Sequence, residues 1–136
     1  MKFSGVVKKQ SGRGKSLGFP TANIDAPATI EDGLYIGLTN KKPSLIFIGA
    51  NETFGETDRR AEIYLLDFAG DLYDQQIEVE TLKKIREVIR FDSKEALVEQ
   101  MKKDEKEART YFKLQNVLPP LWEGGPDLSG QDEGGL

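Results

Sequence analysis

The chain of 136 residues contains no cysteine and no histidine. These two absences exclude thiolate nucleophiles, disulfides, zinc sites built on Cys or His, histidine general bases and Ser-His-Asp triads. Acid-base chemistry must therefore come from carboxylates, lysines or tyrosines. A bound metal would take oxygen ligands, which suits a hard cation such as Mg²⁺.

The sequence also has no apolar run near the ~20 residues of a transmembrane helix, and its N-terminus has no apolar signal-peptide core. Hydrophobic residues make up 38% and charged residues 31%, which is typical of a globular protein. We therefore expect one domain, in the cytoplasm, with no membrane partner.

Charge is unevenly distributed along the chain. The net charge is −4, and four acidic residues within the Gly-rich stretch 123–136 account for it. We expect this stretch to be a disordered tail behind a folded domain of residues 1–122. The first fifteen residues are basic, with Lys2, Lys8, Lys9, Arg13 and Lys15 and no acid. Such a cluster can face phosphates, although on charge alone an ordinary solvated surface is favoured over a nucleic-acid patch.

Short runs rich in β-branched and aromatic residues alternate with turn residues, which predicts an antiparallel sheet or barrel over about residues 1–90. The runs are 3–7, 34–39, 45–48, 61–68 and 72–80. A single helix is predicted over about 92–115, with Asp92 as N-cap and Glu95 completing a capping box. Its apolar stripe, which includes Leu97 and Phe112, is expected to pack on the barrel.

The segment 11–23 reads SGRGKSLGFPTAN, in which Gly14-Lys15-Ser16 suggests a Walker A loop. That interpretation fails, because Lys9 occupies the position of the first motif glycine and Pro20 would break the helix that must follow. A phosphate here would instead be held by the backbone N–H groups of an irregular Gly-rich loop, with Lys15 or Arg13 as charge partner.

Thr21 and Asn23 follow this loop two residues apart, so both point to one face of an extended chain. Their oxygens, with phosphates and waters, can complete the shell of Mg²⁺. The alternative is an ordinary strand start with exposed polar residues, and these residue types alone favour that alternative.

The string GRGKSLGFPTANI resembles the signature loop of riboflavin kinases, including the kinase half of bifunctional bacterial FAD synthetases. Further blocks follow in family order over residues 1–112: 48–49 with 53–55, AEIYLLDF from Ala61, DLY from Asp71, IR at 85–86 and FDSKEAL from Phe91. The resemblance implies a six-stranded antiparallel Greek-key β-barrel with a C-terminal α-helix. It also implies a monomer that transfers the γ-phosphate of ATP to the 5′-hydroxyl of riboflavin, giving FMN and ADP with Mg²⁺.

The resemblance further implies roles for single residues. Thr21 and Asn23 would bind Mg²⁺ and the nucleotide phosphates, and Glu62 would be the catalytic carboxylate that accepts the hydroxyl proton. The remaining nucleotide-binding positions would be Gly12, Arg13, Gly14, Lys15, Gly18, Pro20, Leu65, Asp67 and Tyr73, and the flap that closes on the flavin would contain Arg86, Ile89 and Phe91.

Three of these positions also have a plainer interpretation. Glu62 is an exposed strand glutamate in that view, sharing a face with Tyr64 while Ala61, Ile63 and Leu65 take the other face. Arg86 is then a solvent-exposed charge, and Phe91 a hydrophobic staple before the Asp92 N-cap.

The sequence departs from the family pattern at Gln10, Glu52, Tyr64 and Asp74. These departures motivate an alternative function, a catalytically weak or silent barrel that binds flavin or nucleotide. A nucleic-acid-binding barrel is disfavoured, because the chain before the tail is neutral overall and has no row of stacking aromatics.

Overall fold

A computed structural model describes residues 1–8, 21–50, 58–67 and 72–115. Within these ranges six strands and one helix are formed. They are β1 (Lys2–Val6), β2 (Ala22–Ile24), β3 (Gly33–Thr39), β4 (Lys42–Gly49), β5 (Arg60–Leu65), β6 (Gln76–Arg86) and α1 (Lys94–Leu114). The expected tail, 123–136, lies outside the described residues.

The strands form one antiparallel sheet in the order β1-β6-β3-β4-β5-β2. Strands β3, β4 and β5 are consecutive neighbours and β6 returns beside β3, which is Greek-key topology. The two edge strands approach each other where the Lys8 amide donates to the Asn23 carbonyl at 2.8 Å. The predicted six-stranded Greek-key barrel, nearly closed and followed by one helix, is confirmed.

Alternation along the strands separates two apolar clusters on opposite faces of the sheet. On β5, Ala61, Ile63 and Leu65 point into the barrel, where they pack with residues such as Ile24 and Ile46. The outer cluster lies between the sheet and α1 and consists of Leu34, Ile36, Leu45, Leu66, Ala108 and Phe112. Glu62 and Tyr64 have the opposite orientation to their strand neighbours and are half-buried, as the alternation predicts.

Helix α1 agrees with the predicted range, but its predicted N-cap is wrong. Ser93, with extended dihedral angles, caps the helix and accepts a hydrogen bond from the Ala96 amide at 3.0 Å. An N-cap side chain reaches the amide two or three residues ahead, so its position is fixed by the residue where helical dihedrals begin. Because the helix begins at Lys94, Asp92 is one residue too early for this bond.

The last strand also differs from its prediction. Residues 72–75 are not in a strand, whereas β6 continues six residues beyond the predicted end at 80, up to Arg86. Its second half pairs with β3 through two register shifts, so simple alternation of apolar and polar residues is lost there. The three-residue strand β2 is too short to show a period at all.

Among the described residues, no helix combines the length and apolarity that a bilayer-spanning segment requires.

Phe112 is the largest fully buried side chain on α1, and its ring meets Tyr111 edge-on at 5.3 Å. We expect Phe112→Ala to lower the free energy of unfolding by about 3–5 kcal/mol, because it leaves a cavity between helix and sheet. Urea denaturation followed by circular dichroism measures this loss. The control is Leu114→Ala, which removes an exposed side chain from the same helix and should change stability by less than about 0.5 kcal/mol. Equal effects of the two changes would contradict this account of helix packing.

Candidate active site

The outer face of β2 and β5 brings together three of the predicted site residues. Asn23 pairs directly with Glu62 across the two strands. Thr21, just before β2, donates from its hydroxyl to Glu62 Oε1 at 3.5 Å. The interior positions on both strands are taken by apolar side chains such as Ala22 and Ile63, so the three polar side chains share the other face.

Asn23 carries a buried oxygen that needs a partner. The residue is 8% exposed, and its side-chain Oδ1 accepts no hydrogen bond from the described residues. An unsatisfied buried acceptor costs about 1–3 kcal/mol, so it marks a place where a ligand can satisfy it.

Thr21, Asn23 and Glu62 each offer a side-chain oxygen atom as a metal ligand, which fits a hard cation. No group of three or more acidic side chains within the described part of the chain is placed to hold a metal ion. This pattern fits Mg²⁺, which usually keeps several waters and relies on substrate phosphates for further ligands.

The described residues on either side of the Gly-rich segment lie next to this cluster. Gly12, Arg13, Gly14, Lys15, Gly18 and Pro20 lie outside the described residues, as do Gln10 and Glu52. The flanking residues, Lys8 and Thr21, both lie beside Asn23, and the Lys8 ammonium also pairs with Asp25 at 2.7 Å. The described residues on both sides of the segment 9–20 therefore lie at the oxygen cluster.

A continuous row of cross-strand partners joins this cluster to the predicted flap. Along the row, Asn23 pairs with Glu62, Glu62 with Phe47, Phe47 with Leu34, and Leu34 with Arg86. Strands are spaced about 4.8 Å apart, so the row is about 19 Å long. It has oxygen donors at one end, an arginine at the other, and two apolar side chains between them.

Arg86 is not the solvent-exposed charge that the plainer interpretation assumed. Its side chain is 16% exposed and pairs with Asp104 of α1, with Nη2 2.8 Å from Oδ2. Phe91 lies beside it, with the Arg86 guanidinium carbon 6.0 Å from the ring centroid. The hydrophobic-staple interpretation of Phe91 also fails, since the residue preceding the Ser93 cap is Asp92. Ile89 is exposed, and its contact with a flavin stays a prediction.

The three residues expected near the nucleotide have different surroundings. Leu65 is buried in the barrel interior. Asp67, two residues later, has a left-handed backbone with φ 59°. Its carboxylate forms a salt bridge with Arg109 of α1 at 2.9 Å. Tyr73 is exposed in the turn before β6. A contact of any of them with a nucleotide stays a prediction.

Asp74, one of the departures from the family pattern, has a structural explanation. Its φ is 69°, in the left-handed region that glycine adopts without cost. Aspartate is one of the residues that tolerate this region best, so the turn is kept without glycine.

Tyr64 connects the face of Glu62 to the helix. Its hydroxyl hydrogen-bonds with Glu105, which also accepts from Arg109 at 2.9 Å. Burial raises the pKa of the Tyr64 phenol above its ordinary value, and the charge of Glu105 raises it further. The helix residues Asp104, Glu105 and Arg109 were not predicted from the sequence. An acid at 104, on the buried side of an otherwise apolar stripe, is the one signal that would have indicated such a contact.

The barrel, and then the family, are identified by comparison with known proteins. The crystal structure of riboflavin kinase from Trypanosoma brucei covers 96% of this chain and 93% of its own, with a TM-score of 0.59 and 23% identity. The fold class is therefore the riboflavin kinase-like barrel. The family model Flavokinase, described as riboflavin kinase, matches residues 1–112. The chain belongs to the riboflavin kinase family.

Two relatives show how this family is arranged in longer proteins. The RNA-binding riboflavin kinase RibR of Bacillus subtilis (strain 168) is 37% identical over 131 residues, covering 87% of this chain and 54% of the relative. The bifunctional riboflavin kinase/FMN adenylyltransferase of Escherichia coli (strain K12) is 37% identical over 119 residues, covering 82% of this chain and 38% of the relative. This chain thus spans about half or less of the length of both.

The raised pKa of Tyr64 predicts a pH-dependent loss of stability. Above about pH 10 the unfolded chain ionises this phenol first, so the folded state binds more protons and becomes less stable as the pH rises. We expect Tyr64→Phe to reduce this loss, because phenylalanine has no proton to release. Urea denaturation of both proteins at about pH 8 and about pH 11 measures it. A stability difference between them that is the same at both pH values would contradict the prediction.

Proposed function

We propose that this chain transfers the γ-phosphate of ATP to the 5′-hydroxyl of riboflavin, giving FMN and ADP. The observation that carries the proposal is the convergence of Thr21, Asn23 and Glu62 on one face, with a buried Asn23 oxygen that lacks a partner among the described residues. Membership of the riboflavin kinase family supplies the two substrates.

In this proposal Glu62 is the general base. Its carboxylate already accepts a hydrogen bond from the Thr21 hydroxyl, so it lies within reach of a hydroxyl group on this face. It accepts the proton of the riboflavin 5′-hydroxyl as the oxygen forms a bond to the γ-phosphorus. The bond from that phosphorus to the bridging oxygen breaks, and ADP leaves with the electron pair.

Thr21 and Asn23 are the proposed ligands of Mg²⁺ and the nucleotide phosphates. Bound there, the ion would neutralise negative charge on the phosphates during transfer. Asn23 would offer its buried Oδ1 to the ion, and Thr21 would offer its hydroxyl oxygen while its O–H group donates to Glu62. Positioning and charge neutralisation supply most of the catalysis in phosphoryl transfer, so the absence of histidine is no obstacle.

The row across the sheet suggests where the flavin lies. The isoalloxazine ring is flat and largely apolar, and half-buried Phe47, the cross-strand neighbour of Glu62, offers an apolar surface on this face, whereas Leu34 beyond it is buried in the outer cluster. We propose that the ring occupies this side of the site, with Ile89 and Phe91 closing over it and Arg86 at the far end. The sugar-like chain of riboflavin then points back along the row to Glu62.

The second candidate is a barrel that binds flavin or nucleotide with little or no turnover. The departures at Gln10 and Tyr64 motivate it, since Tyr64 is bound to the helix through Glu105 rather than held free for catalysis. Incubation with riboflavin, ATP and Mg²⁺, followed by chromatography for FMN, separates the two candidates. Saturable flavin binding with no FMN would support the second.

We further propose that the chain acts as a monomer in the cytoplasm on small molecules alone, without binding nucleic acid. RNA binding is stated for the Bacillus subtilis relative, of which this chain spans 54%. Gel-shift titration with single-stranded RNA at about 0.15 M salt, the physiological ionic strength, tests the proposal directly.

We expect Glu62→Gln to lower kcat by about 10²-fold or more, the effect of losing a general base, while the Kd for riboflavin changes little. Steady-state FMN formation and quenching of flavin fluorescence measure the two quantities. Glu78→Gln makes the same charge change at an exposed position on β6 and should leave both unchanged. Normal turnover in the Glu62 variant would remove this residue from the mechanism.

We expect Thr21→Ala to raise the KM for MgATP about tenfold, because it removes an oxygen that contacts the metal-nucleotide complex. Thr21→Ser keeps the hydroxyl and should stay close to the wild type. If Thr21→Ala weakens riboflavin binding and leaves the KM for MgATP unchanged, the metal assignment is wrong.

A further inference from the structure

Helix α1 carries a buried acid, Asp104, on the side that faces the barrel. The residue is 3% exposed, whereas most other charged residues of α1 are in solvent. Burying a carboxylate is costly unless charged and polar partners compensate it. The partners of Asp104 therefore indicate which part of the structure this carboxylate stabilises.

Its main partner is Arg86, the last residue of β6. Nε of Arg86 lies 3.0 and 3.1 Å from the two carboxylate oxygens, and Nη2 lies 2.8 Å from Oδ2. The Gln100 amide donates to Oδ1 at 3.0 Å, one helical turn before Asp104. This is a two-pronged arginine-carboxylate pair, which fixes the orientation of the guanidinium plane as well as its distance.

The remaining contacts of the guanidinium are made within the connection that follows β6. Nη1 donates to the Glu87 carbonyl at 3.2 Å, and the guanidinium faces Phe91 at 6.0 Å. The Glu87 side chain is in turn held by Lys84 at 2.9 Å. The Arg86 side chain therefore connects Asp104 to residues 87–91.

The position of this pair gives it a link to the proposed substrate site. Residues 87–93 join the end of β6 to α1, and Ile89 and Phe91 lie within them. Arg86 lies at the end of the row that leads through Leu34 and Phe47 to Glu62. A shift of Arg86 would move the connection relative to Phe47.

We propose that Asp104 is a positioning residue for riboflavin. It holds Arg86, and through Arg86 it sets the place from which Ile89 and Phe91 pack against the flavin ring. This inference depends on the proposed riboflavin kinase function. Asp104 lies at the far end of the row from Thr21, Asn23 and Glu62, so its effect is on the flavin and not on MgATP.

The test compares Asp104→Asn with Arg86→Gln and with the double variant. Asp104→Asn keeps the size of the side chain and removes its charge, so Arg86 loses its main anchor. We expect kcat/KM for riboflavin to fall by about 10- to 100-fold, the effect of a small misplacement of a substrate-holding segment, and the Kd for riboflavin to rise. The KM for MgATP should stay within about twofold of the wild type, since the hydrogen bonds of Asp104 within the described part of the chain go to Arg86 and Gln100 and not to Thr21, Asn23 or Glu62.

The double variant tests whether Asp104 acts through Arg86. If Asp104 acts through Arg86, adding Asp104→Asn to Arg86→Gln causes no further loss in kcat/KM for riboflavin. Glu99→Gln is the matched control, because it makes the same charge change at an exposed position on the same helix and should change nothing. Hydrogen exchange of residues 87–93 should quicken in Asp104→Asn and stay unchanged in Glu99→Gln.

Three results would overturn the proposal. One is an unchanged riboflavin KM in a folded Asp104→Asn protein, and another is an equal rise in the KM for both substrates. The third is additive losses in the double variant. If the wild type makes no FMN, the proposed function fails first, and unchanged hydrogen exchange in Asp104→Asn would then refute the anchoring itself.

Should Asp104→Asn not fold, Gln100→Ala provides a milder change. It removes one hydrogen bond to Asp104 and leaves both charges of the pair in place. We expect the riboflavin KM to rise about two- to threefold with the KM for MgATP unchanged, which corresponds to a weak hydrogen bond lost. No change in the riboflavin KM of this folded variant would count against the proposal.

Discussion

The antiparallel pairing of β2 with β5 is the constraint on which the site depends. It places Asn23 opposite Glu62 and brings the Thr21 hydroxyl to the same carboxylate. Residues more than 35 positions apart in sequence thereby share one face, because the side-chain alternation of both strands is fixed by their apolar partners inside the barrel. A register slip of one residue would turn Asn23 inward and destroy both the core and the oxygen cluster.

Much of the fold follows from local sequence patterns. Where a prediction of a strand end or of a helix cap was wrong, there is a physical reason. Alternation in 61–65 correctly separated Glu62 and Tyr64 from Ala61, Ile63 and Leu65. The second half of β6 was missed because its register shifts remove the two-residue period. Asp92 was preferred over Ser93 as N-cap because both residue types cap well, and only the helix start decides between them.

The candidate site could be predicted where its residues are close in sequence. The contacts between the helix and the sheet could not be predicted. Thr21 and Asn23 could be recognised as a pair from their spacing, and their contact with Glu62 came from the family resemblance. The pairs of Arg86 with Asp104 and of Asp67 with Arg109 join residues 18 and 42 positions apart. Such contacts depend on how α1 docks on the barrel, and propensity or period gives no information on that geometry.

The small size of β2 has a consequence for the energetics of the molecule. It forms three residue pairs with β5, whereas β3 and β4 share seven. An edge held by so few backbone bonds can detach while the rest of the barrel stays folded, in a partial opening that costs less than global unfolding. Among the described strands, the residue with the buried oxygen thus belongs to the one with the fewest residue pairs, and a ligand bound there would stabilise that edge by mass action.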